Sequence, residues 1–409
     1  MKKATVRLRA LLIAAPLLLG AAACQSGGAD KTAEPKAEPV YSKPLPAQFS
    51  AALKATDEAG SARFTSSLVY TTGSGSRAVD TTTGSQDYAR HTAQAERTLI
   101  VPRTLPAKDA AYLREEGDSR PRTYAVDHSD VLYKSRSGDW LRYRAGADTE
   151  FSEGAQEMFD RAGNAAPYGG TLAELVRYTI PRHQPQQLDS GVRRYREMVT
   201  ARLALELLPP LMSADASGGF SPDEANIPLT AEFDAQGRLT KASADLAPFL
   251  KELHANHHLS AVKSLRAEYA LTGFGEKVPY TIASGENVLA AQKELAAIES
   301  VKPGSCASED TGMPSSSLVR PVSCTAPHDL QVFGQVHIEA HAKDTLSDDV
   351  GDSLAHDKCD RKFQAAPAAW TRDAHPRGTY TVSGAAGLSV TPGEGTSLDG
   401  DFSCYITTS

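Results

Sequence analysis

A cysteine, a histidine and an aspartate lie within six residues of one another in the stretch VSCTAPHDLQVFG, as Cys324, His328 and Asp329. A cysteine thiolate beside a histidine base is the usual nucleophile of thiol-dependent catalysis. The same residues also fit a structural cysteine that is bonded to a second cysteine and followed by a turn. The two interpretations exclude each other, because a disulfide removes the thiolate.

The N-terminal residues predict export. The basic stretch MKKATVRLR leads into an apolar run that ends at Cys24, and small residues directly precede that cysteine. We interpret residues 1–23 as a secretory signal, too short for a membrane-spanning helix, and the small residues as a bacterial lipobox. Cleavage would leave Cys24 as a lipidated N-terminus. We therefore expect a chain anchored by acyl groups on the extracytoplasmic face of the cell membrane, with plain secretion as the alternative.

Four further cysteines predict two disulfides, because an exported chain folds in an oxidising compartment. They are Cys306, Cys324, Cys359 and Cys404. Three pairings are possible, and the sequence does not choose among them. We favour Cys306 with Cys324 and Cys359 with Cys404; the first closes a short loop and contributes about 3 kcal/mol in the chain-entropy model. On this interpretation no residue is catalytic, and His328 is a turn residue whose ring anchors neighbouring backbone.

Two histidine-rich segments offer alternative sites. In HIEAH, the side chains of His337, Glu339 and His341 share one face if the segment is a strand, and they could then hold zinc. In HANHH, His254 and His258 are four residues apart, as on one face of a helix, which suits pH sensing. We favour solvated faces for both segments and predict no metal and no cofactor. The formal net charge of −7 argues against nucleic acid as a partner.

The first part of the chain alternates between helical and strand patterns. Residues 24–46 contain few apolar side chains and predict a flexible tether. Apolar spacing over 48–59 predicts a helix that ends at Gly60. The strictly alternating ARFTSSLVYTT and the short strands that follow it indicate an antiparallel meander, which a helix over 170–180 covers.

A second group of strands follows in VRRYREMVTARLALELL, IPLTAEFDAQGRLTKASADL and SLRAEYALTGFG. The turn Asp234–Gly237 joins two of them as a hairpin. Each strand has one apolar and one polar face, which predicts a sheet with one dry side. Residues 291–304 then contain strong helix formers and predict a linking helix.

Much of this region resembles a known family. The segments SARFTSSL, DVLYKSRSGDWLRY, IPLTAEFDAQGRLTKA and LRAEYALTGFGEKVPYTI resemble the LppX/LprG/LprA-type lipoproteins of high-GC Gram-positive envelopes, over about residues 45–290. That family folds as a LolA-like half-barrel, an antiparallel sheet around an apolar cavity with covering helices. The resemblance implies an α+β fold for 47–290 and a lipid or glycolipid ligand.

The end of the chain resembles a different family. The ordered segments GSC, PVSCTAPHDLQVFG, DKCDRKF and LDGDFSCYI are similar to the septum-formation-type domain over about residues 303–406. Cys324, Pro327 and His328 hold the positions of its cysteine-Xaa-Xaa-Pro-His stretch. The resemblance implies a small disulfide-stapled α+β domain at 305–409 that contacts an envelope partner, and it implies no chemistry.

These observations lead to three functional hypotheses for a chain of 409 residues, a length that favours two domains. The first is a non-enzymatic, lipid-anchored carrier or sensor that binds a lipid or other amphiphile. Its candidate lining residues are Phe64, Leu68, Tyr70, Phe233, Tyr269 and Leu271. The second is a surface- or septum-associated scaffold or adhesion lipoprotein whose core is filled. The third is a secreted metal-dependent or thiol hydrolase.

Overall fold

The computed structural model describes residues 40–408 apart from several internal segments. Those segments are 116–120, 145–170, 189–190, 219–225, 281, 283–286, 313–317, 343–347, 372–379 and 392–394. The predicted signal, Cys24 and most of the predicted tether lie outside the described residues. The architecture is α+β with two mostly antiparallel open sheets, of twelve and six strands. Within the described part of the chain, no helix is long and apolar enough to cross a membrane.

The first sheet begins as the predicted antiparallel meander. Its elements are α1 (Gln48–Asp57), β1 (Ser61–Thr72), β2 (Arg77–Asp87), β3 (Thr92–Ile100), α2 (Ala107–Glu115), β4 (Arg122–Asp127), β5 (Asp130–Lys134) and β6 (Trp140–Arg144). Each of these strands pairs antiparallel with the next along the chain. The alternation read from the sequence is confirmed in β1, where Phe64, Leu68 and Tyr70 are buried on one side. Alternation thus gives β1 one mainly buried side, whereas in β5 and β6 the opposite side is buried too, at Leu132 and Trp140.

The second group of strands extends the same sheet. Its elements are α3 (Thr171–Tyr178), β7 (Gln186–Gln187), β8 (Arg193–Thr200), α4 (Ala201–Leu205), α5 (Pro210–Ser217), β9 (Asn226–Phe233), β10 (Leu239–Asp245), α6 (Leu250–Ala255) and β11 (Val262–Thr272). β11 pairs with β1, so the two groups form one surface. The predicted hairpin turn is present: the Gly237 amide donates to the Asp234 carbonyl at 2.9 Å, and Gly237 has φ +82°.

One predicted strand is shorter than its sequence pattern indicates. The segment VRRYREMVTARLALELL was interpreted as strand, but β8 ends at Thr200 and α4 begins at Ala201. The residues after Thr200 are mainly Ala, Leu, Arg and Glu, which have high helix propensity, whereas the preceding Val-Thr pair favours strand. Propensity therefore divides the segment where its composition changes.

Helices rather than a second sheet cover most of the dry side of the first sheet. We call this side the inner face; it carries Phe64, Tyr70 and Tyr269. The helices α1 to α6 each have at most ten residues. Their apolar side chains share one core cluster with the inner face. At its centre the rings of Phe49 and Tyr195 lie 5.0 Å apart, and both contact Phe233.

The last residues of the predicted tether are packed against the fold. Val40 is only 6% exposed, and the guanidinium of Arg193 lies 3.8 Å from the ring centre of Tyr41. Gly237 makes this approach possible, since a Cβ there would lie 2.4 Å from a methyl group of Val40. Within the expected tether over 24–46, Val40 and Tyr41 therefore belong to the fold, because they have a surface to bury against.

The predicted linking helix over 291–304 is mostly wrong. β12 (Val288–Ala290) pairs in parallel with β6, and then only α7 (Ala291–Glu294) is helical before β13 (Ala296–Ala297) joins the second sheet. Leu295 packs in one core cluster and Ile298 in another. A helix would place Leu295 and Ile298, three residues apart, on one face and so in the same cluster. Without a continuous helix the two side chains reach different clusters.

The second sheet carries both disulfides. Its other elements are β14 (Cys306–Ser308), β15 (Leu318–Val322), β16 (Leu330–Ala342), α8 (Asp348–Ala365), α9 (Ala368–Thr371), β17 (Thr381–Thr391) and β18 (Gly395–Thr407). The order across the sheet is β13-β15-β14-β16-β18-β17. The structure contains the pairs Cys306–Cys324 and Cys359–Cys404, the pairing favoured above. The second pair fastens α8 to β18 beside the buried Ala355.

Removal of the Phe233 ring tests the aromatic centre of the inner face. Phe233→Ala should lower the free energy of unfolding of residues 40–409 by about 3–5 kcal/mol, because a fully buried ring leaves a cavity. Urea unfolding followed by circular dichroism measures the change. Met198→Ala is the control: this side chain is 51% exposed on the other side of the same sheet, and its loss should change the value by about 0.5 kcal/mol or less. Equal losses in the two variants would contradict the assignment of the inner face.

Candidate functional site

The six candidate lining residues all lie on the inner face. Each is between 1% and 5% exposed, and all six belong to the core cluster that also contains the covering helices. The strand register explains their proximity: Phe64 stands opposite Leu271, and Tyr70 stands opposite Leu265. The structure therefore brings these residues together as a packed apolar surface in contact with helices.

The inner face becomes polar toward β2 and β3. The Arg97 Nε donates to both oxygens of the Asp80 carboxylate, at 2.9 and 3.1 Å. The side chains of Arg97 and Asp80 are 11% and 10% exposed. Asp80 stands opposite Leu68, and Gly84 stands opposite Phe64, where a Cβ would be 2.7 Å from the Phe64 ring. Sequence analysis missed the ion pair. Its signal was the alternation in β2, which places Asp80 on the same side as the buried Thr82.

Two tyrosines add neutral polar groups to this face. The Gln86 amide donates to the hydroxyl of Tyr88 at 2.7 Å and to that of Tyr269 at 3.3 Å. Burial raises the pKa of the Tyr269 hydroxyl above its ordinary value, and Gln86 only partly opposes this shift. Tyr269 therefore stays a neutral phenol at physiological pH. The inner face thus combines a large apolar area with a polar margin.

An exposed apolar rim lies next to the edge of the sheet. Tyr178, the last residue of α3, and Ile180 are 65% and 63% exposed. The chain then reaches β8, which lies beside the edge strand β7, and the Arg182 and His183 amides donate to the Glu197 carboxylate at 2.9 and 3.0 Å. Two large apolar side chains are thus exposed close together in sequence.

The two sheets meet at a polar junction, which we define as Tyr133, Arg136, Asp310 and Asp329. The Tyr133 hydroxyl donates to Asp310 at 2.6 Å, and Arg136 forms ion pairs with both Asp310 and Asp329. Apolar packing accompanies these contacts, since β4, β5 and β6 share a core cluster with α7 and β15. The second sheet and its connection therefore cover the β4–β6 part of the first sheet.

The residues that opened the sequence analysis belong to the scaffold. The sulfur of Cys324 is bonded to Cys306, so it is not available as a nucleophile. The Nδ1–H of His328 donates to the Ala326 carbonyl at 2.8 Å, which is the predicted anchoring role. Asp329 accepts hydrogen bonds from Ser308 at 2.7 Å and from the Glu309 amide at 2.8 Å. These contacts fix the turn and the junction.

The histidine-rich segments do not form metal sites among the described residues. HIEAH lies in β16 as a strand, and its exposed His337 pairs with Asp401 at 2.9 Å. HANHH differs from the expectation: α6 ends at Ala255, so His254 and His258 do not share a helical face. His254 donates to the Leu259 carbonyl at 3.0 Å, and the ring of His258 stacks on Tyr112 at 4.2 Å.

Comparisons with known proteins add little to this geometry. No protein-family model matches the chain, and no curated protein sequence matches it. Among solved structures, the chain is similar to a LolA superfamily protein from Nitrosomonas europaea, with a TM-score of 0.21 and 9% identity over 56% of this chain and 94% of that one. The fold described above accordingly stands on the strands, their register and the disulfides of this chain alone.

The junction should weaken in acid. Burial raises the pKa of Asp329, but hydrogen bonds from Arg136, Ser308 and the Glu309 amide outweigh this effect and hold the pKa below its usual value. A lowered pKa in the folded state contributes stability above the ordinary value of about 3.9, and that stability is lost as the pH falls through the folded-state pKa. Asp329→Asn should therefore lower the free energy of unfolding by about 1 kcal/mol at pH 7, and the difference from the natural chain should shrink below pH 4.

Urea midpoints at pH 7 and pH 3 measure this effect. Asp352→Asn, at an exposed position of α8, is the matched control and should change neither midpoint appreciably. A constant difference between Asp329→Asn and the natural chain at both pH values would contradict the role given to the Asp329 carboxylate.

The disulfides make a second prediction. Residues 40–409, unfolded without reductant, should show no reactive thiol, because all four cysteines of this region are bonded. Thiol titration measures this, and the reduced protein serves as the positive control. Two reactive thiols per chain, one of which alkylation maps to Cys324, would instead restore the thiol-enzyme hypothesis.

Proposed function

We propose that this protein is a non-enzymatic binding protein for a lipid or other amphiphile, lipid-anchored through Cys24 on the extracytoplasmic face of the cell membrane. The observation that carries the proposal is the covering of the inner face: an open twelve-stranded sheet buries its apolar side under helices of ten residues or fewer. Helices of this length are marginal by themselves in water and depend on their packing. They are therefore the elements that open most readily.

The energies favour a ligand with more than one acyl chain. Displacing α3 exposes Leu172, Leu175 and Val176, which costs about 5–9 kcal/mol at roughly 1.5–3 kcal/mol per side chain. An acyl chain of about 16 carbons gains roughly 13 kcal/mol at about 0.8 kcal/mol per buried methylene. Association itself costs at least about 4 kcal/mol, so the two costs together come to at least about 9–13 kcal/mol and one chain only just offsets them. The gain from two chains exceeds these costs, which favours a diacyl or triacyl amphiphile.

The apolar rim supports the same proposal. Tyr178 ends α3 and Ile180 follows it, so an acyl chain that displaced α3 would meet exposed apolar groups where this helix ends. The polar margin with Asp80, Arg97 and Tyr269 lies on the same face and suits a headgroup. Apolar area next to a few fixed polar groups is the usual composition of a ligand site.

One observation favours the second candidate function, a surface or septum scaffold without a ligand. The six lining candidates are already in contact with the covering helices, and none is more than 5% exposed. A filled core needs no ligand. The two functions differ in whether the inner face ever takes up an acyl chain.

Mass spectrometry of bound lipid separates them. Residues 40–409, exported from a bacterial host and purified without detergent, should carry a diacyl or triacyl species at one molecule per chain. Ala267→Phe, which adds a ring to the inner face, should reduce the bound lipid severalfold, because the site loses volume. Glu268→Phe is the control: it adds the same ring to the next residue of β11, on the outer face.

The result can also contradict the proposal. Lipid-free protein that also fails to take up a fluorescent diacyl probe would favour the scaffold. Equal lipid content in Ala267→Phe and Glu268→Phe, with both variants folded by circular dichroism, would show that any bound lipid lies elsewhere.

A further inference from the structure

A cleft of about 510 Å³ lies where β4 and β5 meet the second sheet. It is outside the acyl-binding region proposed above, and its walls come from both sheets. Arg114, Arg122 and Arg136 supply positive charge, while Glu309, Asp310 and Asp329 supply negative charge. The junction described above forms one wall.

Two of the three carboxylates that line the cleft form ion pairs with the same arginine. Arg136 forms ion pairs with Asp310 and Asp329, and both carboxylates accept further hydrogen bonds, from Tyr133 and Ser308 respectively. This network leaves Arg114 and Arg122 without a carboxylate partner among the described residues. Their charges are therefore not compensated within the described part of the chain.

Arg122 has an unusual environment. Its terminal nitrogen Nη1 is buried and has no hydrogen-bond partner in the described part of the chain. Arginine does not lose its proton, so this nitrogen always presents donors and charge. A buried charged donor without an acceptor is costly, and a bound ion or ligand that supplies the acceptor would remove this cost.

Two further unpartnered donors lie on the same side of the sheet. Tyr124, two residues along β4 from Arg122 and 1% exposed, has a buried hydroxyl without a partner, and so does Thr82. Strand register connects them: Arg97 stands opposite both Thr82 and Arg122. Tyr124 packs against Tyr133, which lines the cleft, with ring centres 5.5 Å apart. Three buried groups in neighbouring positions thus each lack an acceptor.

We propose that this cleft binds a phosphate-type oxyanion, held by the Arg122 guanidinium, with Arg114 on another part of its wall. A guanidinium fork matches two oxygens of a phosphate. The anion would supply the acceptor that the buried nitrogen of Arg122 lacks. It would also place a ligand against residues of both sheets, so that binding strengthens their contact.

A phosphate-type oxyanion can come from two sources, a free anion or the headgroup of a phospholipid. The shared chemistry is the oxyanion, and the test uses one probe for each source. Inorganic phosphate represents the free anion. Dihexanoyl phosphatidic acid, which is monomeric at low concentration, represents the headgroup with short acyl chains.

Isothermal titration calorimetry of the full chain in a nonionic detergent measures binding of each probe. Arg122→Gln should weaken binding about tenfold or more, since it removes a charge-assisted contact. Tyr124→Phe removes a buried hydroxyl that does not line the cleft, so it should neither weaken binding nor lower the melting temperature of the ligand-free protein. Arg90→Gln, at an exposed turn, is the control and should leave binding unchanged.

Each outcome decides the proposal. Arg122-dependent binding of inorganic phosphate supports it with a free anion as ligand, and Arg122-dependent binding of phosphatidic acid alone supports it with a lipid headgroup. Absence of saturable binding of both probes overturns it, as does binding that is equal in Arg122→Gln and the natural chain. If phosphatidic acid binds independently of Arg122, this inference is wrong while the proposed amphiphile function stands.

Discussion

The structure depends on keeping the inner face of one open sheet away from water. Twelve strands place Phe64, Tyr70, Phe233 and Tyr269 on the same side, and the sheet does not close to bury them. No single element covers this area. Six short helices bury the region of β1 and β8–β11, and the connection to the second sheet buries the region of β4–β6. The inner face therefore has two regions, one covered by short helices and one covered by the connection to the second sheet, and their side chains differ in chemistry.

The division separates an apolar part of the inner face from a polar part. Under the helices the inner face is apolar, with neutral groups such as the Tyr269 phenol at its margin. Toward β2–β4 it carries the Asp80–Arg97 pair and then Arg122, beside the cleft at the junction. An amphiphile has the same order of chemistry, acyl chains followed by a charged headgroup. The two proposals remain separable, since one rests on covering helices and the other on unpartnered donors.

Local patterns predicted a large part of this structure. Alternation in β1 and β11 gave the buried sides correctly, and the turn at Asp234–Gly237 gave its hairpin, because both signals act within a few residues. The prediction of a linking helix was wrong because Leu295 and Ile298 pack in two different core clusters, and composition does not reveal where a side chain packs. The junction was not predictable: Arg136 and Asp329 are distant in sequence and meet only when the two sheets pack. Arg122 likewise becomes notable only once its burial is known.

Amphiphile binding on the inner face requires that the covering helices open independently of the sheet. Native-state hydrogen exchange of residues 40–409 over a series of low urea concentrations measures this, since it yields an opening free energy for each amide. We expect amides of α1, α3 and α5 to open at several kcal/mol below the global value, while those of β1 and β11 open only with global unfolding. Helix amides that exchange only by global unfolding would show a fixed, filled core and would contradict the proposed amphiphile binding.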